Sequence, residues 1–240
     1  MPAGESSQKN KLHPAAQAAP PPAPLPSNFS SGARKLLFEW EQKEEAPAST
    51  ETARQPVRVP ALKKFSVSVS SSSERDWVYF TVLFQGSVSP ATVTDLYIDI
   101  NHRPGAGTAA LIAGRNATVE DSDAWELLLI SRWVPARGWT ASLYRSPAMA
   151  PVIYSTAIQY KTQSRPGTAT FQIRVPKNLL GENPAHWGFL LCTAGWNGPV
   201  TDFLSSTMDK ERLLEEIKNG GAVRLPMIRD EAAVEQGAER

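Results

Sequence analysis

From residue 61 onward the apolar residues recur at every second position. Phe65, Val67 and Val69 do so first, then Val78, Phe80, Val82 and Phe84, then Leu96, Ile98 and Ile100. The pattern returns at Trp125, Leu127 and Leu129, at Leu143, across Val152–Tyr160, at Phe171, Ile173 and Val175, and at Trp187, Phe189 and Leu191. Alternation with a period of two puts apolar side chains on one face of an extended chain, so each segment reads as a half-buried strand. Between the segments stand NHRPGAGT, ARGW, SRPGT and GENPAH, whose Gly, Pro, Asn and Ser residues suit turns. No helical crossover separates the strands. The pattern therefore predicts an all-β, antiparallel β-sandwich spanning 61–228.

The flanking sequence has a different texture. Half of the twenty prolines precede residue 61, and PAAQAAPPPAPLP (14–26) has the fixed φ angles and missing amide donors of an extended linker. Residues 1–60 read as a disordered Pro/Ala-rich arm. Within it ARKLLFEWEQKEE (33–45) predicts a short helix, because Leu36, Leu37 and Trp40 share one side at helical spacing. Near the other end TMDKERLLEEIK (207–218) predicts one short C-terminal helix, with a stripe of Leu213, Leu214 and Ile217 and with Gly220 as its stop. Residues 229–240 read as a polar tail.

Composition removes several function classes. The net charge is +1, without the basic excess of a dedicated nucleic-acid binder. No apolar run approaches the roughly 18 residues of a membrane helix, and the start MPAGESSQKNKLHPAAQ has no apolar core of a secretory signal. The single cysteine, Cys192, excludes an intrachain disulfide and a multi-cysteine metal site, and its apolar strand marks it as a buried core thiol. His13, His102 and His186 form no HxH or HExxH pattern, so neither a catalytic zinc nor a haem has a ligand set, and no GxSxG elbow is present.

Carboxylates are the remaining catalytic currency. Asp95, Asp99, Glu120, Asp121, Asp123 and Glu126 are the candidates for a hydrolytic pair. Asp95 and Asp99 alternate with Leu96, Ile98 and Ile100, as residues on the solvent face of a strand do, and the others occupy a turn. The expectation is no enzyme and no resident cofactor. Calcium is the one metal such strand-end and loop oxygens suit.

The seven tryptophans say more. Trp125 and Trp187 alternate with core residues. Trp133, Trp139 and Trp196 stand in or beside turns, in SRWVPARGW and TAGWNGP. Two readings fit them. They cap the ends of the sandwich core, or they present flat apolar faces on which the C–H face of a pyranose stacks while nearby polar groups bind its hydroxyls. The candidate ligand-binding set is Trp133, Trp139, Trp196, Arg115, Asn116, Asp99 and Asp123.

An ordered series of short motifs accompanies these residues: Tyr97-Ile98-Asp99, the Gly-rich turn, Gly114-Arg115-Asn116-Ala117, Trp125-Glu126, Val175-Pro176-Lys177 and Trp187-Gly188. In that order and spacing the chain resembles the C-terminal domain of glucodextranase and its relatives. These are DOMON-like, jelly-roll-like sandwich modules akin to the family 9 carbohydrate-binding modules. The resemblance covers 61–228. Where relatives open with an Asp/Gly-rich stretch, this chain has TETARQPVRVP. The resemblance implies a non-catalytic module that binds α-glucan or another polysaccharide. It implies a glycoside hydrolase or a cell-envelope protein as a partner, and an extracellular or envelope setting. The alternative is a protein-interaction or scaffold module that keeps the fold without the sugar site.

Overall fold

The alternation is realised as two five-stranded sheets. The computed structural model describes residues 33–42, 60–70, 76–135, 137–146, 157–181, 184–205 and 209–230. The first sheet joins β1 (Lys35–Glu41), β2 (Ala61–Ser70), β3 (Trp77–Gln85), β9 (Thr168–Pro176) and β8 (Gln159–Arg165) in the order β1-β2-β3-β9-β8. The second joins β11 (Val200–Phe203), β10 (Gly188–Ala194), β4 (Val93–Asp99), β6 (Leu127–Val134) and β7 (Gly138–Arg145) in the order β11-β10-β4-β6-β7. Every pairing within the two sheets is antiparallel.

The inner faces meet as the period-2 pattern requires. Phe65, Phe80, Phe84, Phe171 and Ile173 from the first sheet pack on Leu96, Ile98, Leu129, Phe189 and Leu191 from the second. Aromatic rings dominate, with Phe65 against Phe189 edge-on at 5.3 Å between centroids. Burial of such side chains contributes roughly 1.5–3 kcal/mol each.

A third layer covers the back of the second sheet. It is built from the 101–126 segment, the parallel pair β5 (Ala117–Thr118) and β12 (Val223–Arg224), and α2 (Lys210–Lys218), the second helix after the four-residue α1 (Lys177–Leu180) that follows β9. Trp125, Leu111, Ile217 and Leu225 close there on Tyr97, Leu128, Leu190 and Cys192. All seven residues of β4 and all seven of β10 are consequently buried. Asp95 and Asp99 therefore do not face solvent as their alternation predicts. They point outward from the second sheet, but into this added layer, and both are fully buried.

The segment expected as a helix over 33–45 is strand β1. A seven-residue helix gains little by itself. The edge of β2 offers a ladder running from Lys35↔Val69 to Glu41↔Lys64, and the core offers a slot for Phe38. The rest of that arm, 1–32 and 43–59, where disorder is expected, lies outside the described residues. At the other end Arg229 is no part of a polar tail: its side chain is tucked against Asp99 and Asp123. Residues 231–240 are outside the described residues. The strand expected over Val152–Tyr160 begins at Gln159, with 151–156 not described. Helix α2 occupies the expected place and stops where Gly220 takes φ +86°, its N–H donating to the Ile217 carbonyl at 3.1 Å.

Candidate functional site

The hairpin β6–β7 carries two paired tryptophans, one of them exposed. Its turn needs Gly138 at φ +74°, and the Arg137 N–H closes it on the Val134 carbonyl at 3.0 Å. Pairing then sets Trp133 opposite Trp139. The two rings stand edge to face, with centroids 6.0 Å apart and planes at 80°. Trp139 is braced from behind by Phe171 at 4.5 Å. Trp133 is 42% exposed. One member of the pair is thus anchored in the core and the other is partly open to solvent.

Beside them lies a small recess lined by Ser131, Trp139, Thr140, Tyr160, Lys161 and Phe171. It lies between β7 and β8, the edge strands of the two sheets. Burial holds the Tyr160 phenol above its ordinary pKa, so it remains a hydrogen-bond donor at neutral pH. The Ser131 hydroxyl is buried with no partner among the described residues. Apolar faces with a few fixed polar groups are what a small polar ligand with an apolar face requires.

Trp196 lies elsewhere. Along β6 successive side chains alternate, so Arg132 projects from the face opposite Trp133. Its guanidinium covers the Trp196 ring at 4.2 Å. Trp196 is 55% exposed at the β10–β11 turn. The same end of the second sheet carries both Trp196 and the Trp133–Trp139 pair, but on opposite faces.

Arg115 is buried, whereas the adjacent Asn116 is exposed. Arg115 is 3% exposed. Its Nε donates to Asp95 Oδ2 at 2.5 Å and its Nη1 to the carbonyls of Gly195 and Gly198 at 3.1 and 2.8 Å. It therefore pins the turn that carries Trp196. Burial raises the pKa of Asp95, and the adjacent Arg115 works against that rise. Asn116 takes a left-handed φ of +54°, and its carbonyl accepts the Val223 N–H at 3.3 Å.

Asp99 and Asp123 are at the opposite end of the sheet. The rise from Asp95 to Asp99 along β4 is about 13 Å. Asp99 Oδ1 accepts the N–H groups of Asn101 and His102 at 3.1 and 2.7 Å, fixing the turn after β4. Glu126 accepts the Ile100 N–H at 2.8 Å and the Asn101 amide at 2.9 Å. Asp99, His102 and Asp123 hold atoms within 4.8 Å of one another, the one such metal-capable group among the described residues. The Arg229 guanidinium stands between its two carboxylates, bonded to Asp99 and, at 2.7 Å, to Asp123. A positive side chain thus occupies the place of a cation. With Asp99 Oδ1 already given to two amides, the group falls short of the six to eight oxygens calcium takes.

The structure so divides the expected set in three. Trp133 and Trp139 form one cluster, Trp196 with Arg115 behind it and the adjacent Asn116 a second, and Asp99 with Asp123 a third. Sequence reading missed Tyr160, Lys161 and Phe171 as neighbours of Trp139, because strand order β3-β9-β8 brings them there from more than twenty residues away in the chain. It also missed Arg132, which alternation with Trp133 would have placed on the other face.

No helix among the described residues is long and apolar enough to cross a membrane. Comparison with curated proteins and with solved structures yields no match. A family model does match, over residues 62–218, that of the SLH-like C-terminal binding module of glucodextranase. The matched stretch begins at β2 and ends with α2, so it holds nine of the ten strands of the two sheets and leaves β1 outside. With nearly two thirds of its length matched, the chain belongs to the family of SLH-like C-terminal binding modules of glucodextranase.

Proposed function

We propose that this is a non-catalytic carbohydrate-binding module that takes α-glucan or another polysaccharide, with the Trp133–Trp139 pair as its stacking platform. The observation that carries the reading is the pairing of an exposed tryptophan with a core-anchored one beside a recess lined by Tyr160, Lys161, Ser131 and Thr140. A pyranose laid on Trp133 would bury its C–H face on the ring. Its hydroxyls would be in reach of the Tyr160 phenol and the Lys161 ammonium. Because Trp139 is braced by Phe171, little side-chain freedom is lost on binding, which favours affinity. Membership in a family of binding modules supports a binding role. The name glucodextranase directs the choice of ligand to α-glucans. The proposed partner in the cell is the polysaccharide, with a glycoside hydrolase delivered to it.

Affinity electrophoresis tests this. Mobility should fall in gels containing dextran or soluble starch and stay unchanged in a mixed-linkage β-glucan gel. Trp133→Ala should restore free mobility in the first two, while Trp196→Ala should not. Equal mobility in all gels, with a cooperatively folded protein, would remove the sugar-binding reading.

A further inference from the structure

β1 is tied to the rest of the sandwich by more chain than its position requires. The Gln42 N–H donates to the Lys63 carbonyl at 2.8 Å, so the end of β1 stands beside the start of β2. Neighbouring antiparallel strands are commonly joined by about two to five residues. Here residues 43–59 intervene, a length that reaches about 55 Å when fully extended. Connectivity alone therefore does not force the segment into this edge.

The contacts explain why it is there. The ladder runs from Lys35↔Val69 to Glu41↔Lys64 with one irregularity between Leu36 and Phe38. Phe38 is 7% exposed and fills a slot between Phe189 and Phe65, with centroids at 5.1 and 6.1 Å. The Lys64 ammonium sits at 2.8 Å from Glu39 and 3.6 Å from Glu41. The Arg34 guanidinium covers the Tyr79 ring at 3.9 Å. Leu36, Glu39 and Glu41 face solvent. This is how an extended peptide adds to a sheet edge: the main chain supplies the ladder, and one side chain in a pocket supplies selectivity. The acceptor edge, β2, lies within the family-matched stretch, and the strand that fills it lies outside.

We propose that the β2 edge is a strand-accepting site and that Lys35–Glu41 is its ligand, a docked segment that leaves and returns while the body from β2 to β12 stays folded. The site selects an extended peptide with an aromatic side chain at the Phe38 position and acidic side chains at the Glu39 and Glu41 positions. Nothing in this depends on the sugar site, which lies at the opposite edge of the sandwich.

The test uses the full chain with a specific protease site inserted after Ala48. After cleavage it is incubated with excess fluorescein-labelled peptide Ala33–Gln42. Anisotropy, size-exclusion chromatography and far-UV circular dichroism are then followed. The labelled peptide should bind saturably and displace the cut arm, with the β-sheet signal unchanged. A Phe38→Ala peptide should bind at least ~10-fold more weakly. Three results would overturn the proposal: an arm that never exchanges over days, an arm that leaves only as the sheet signal collapses, or a Phe38→Ala peptide that binds as well as the parent.

Discussion

Trp133 and Trp139 face each other across the β6–β7 hairpin, one ring edge-on to the other at 6.0 Å, yet they differ in what lies behind them. Trp139 rests on Phe171 and the core, whereas Trp133 rests on its partner and is 42% exposed. Their substitutions should separate accordingly. Trp139→Ala removes a packed ring and should lower unfolding free energy by about 2–3 kcal/mol, somewhat less than for a fully buried tryptophan. Trp133→Ala should stay within about 0.5 kcal/mol of the parent. Urea denaturation of both variants checks the contrast, and equal losses would mean that Trp133 is a structural cap.

Arg115 and Asp95 form a buried pair, 3% and 0% exposed. Arg115→Met leaves the carboxylate and two carbonyls without their donor. It should cost about 3–5 kcal/mol. Adding Asp95→Asn should recover part of that loss, because no charge then remains buried. Without Arg115 the Asp95 pKa moves further up, so the folded variant holds a proton the unfolded chain releases. Stability of Arg115→Met should therefore fall as pH rises from 4 toward neutrality, and its deficit against the parent should be smaller in acid. Unfolding curves across that range measure it.

Cys192 and Tyr97 should each weaken the fold at alkaline pH. Both are fully buried, and burial raises each pKa well above its ordinary value of 9.0 or 10.0. In the folded state both groups keep their protons above pH 9, while the unfolded chain gives them up. The unfolded state then binds fewer protons, so stability is intact below pH 9 and declines as pH rises beyond it. The urea midpoint should hold at pH 8 and drop between pH 9 and pH 10.5. At pH 8 a thiol reagent should react with Cys192 only at the rate of unfolding, and prompt reaction in native buffer would contradict its burial.

Gly188 lies directly beneath the Arg229 guanidinium. A Cβ there would come within 2.7 Å of Arg229 Cζ and 2.8 Å of an Nη atom. Gly188→Ala should therefore push Arg229 off Asp99 and Asp123 and cost about 1–3 kcal/mol. In an Arg229→Met background the same change should cost distinctly less, since the guanidinium is gone. A double-mutant cycle by thermal unfolding reads this coupling, and strict additivity would show that the two residues do not share the strain.

The strands were legible because Phe80, Val82 and Phe84, or Phe171, Ile173 and Val175, can bury one face only as extended chain. The layer behind the second sheet was not. The alternation of Asp95 and Asp99 is the same whether water or the 101–126 segment and Arg229 lie against them, and the covering residues come from other parts of the chain. The segment Lys35–Glu41 failed for a related reason. Leu36, Leu37, Phe38 and Trp40 satisfy helical and extended spacing alike, and only the partner strand β2 decides between them. The loop tryptophans were found from turn chemistry. Their grouping was not, since one residue of offset on β6 sends Arg132 and Trp196 to the face opposite Trp133. The family motifs held their order over this whole region, and the matched stretch begins and ends within about ten residues of the sandwich read from the sequence.

Titration of intrinsic tryptophan fluorescence with maltoheptaose and with dextran decides whether the Trp133–Trp139 platform binds an α-glucan. A saturable shift is expected with one of these ligands and none with a β-glucan, with a loss of affinity of about 2 kcal/mol or more in Trp133→Ala, roughly 30-fold. A signal that stays flat with every glycan, or a shift that Trp133→Ala leaves intact, would contradict it.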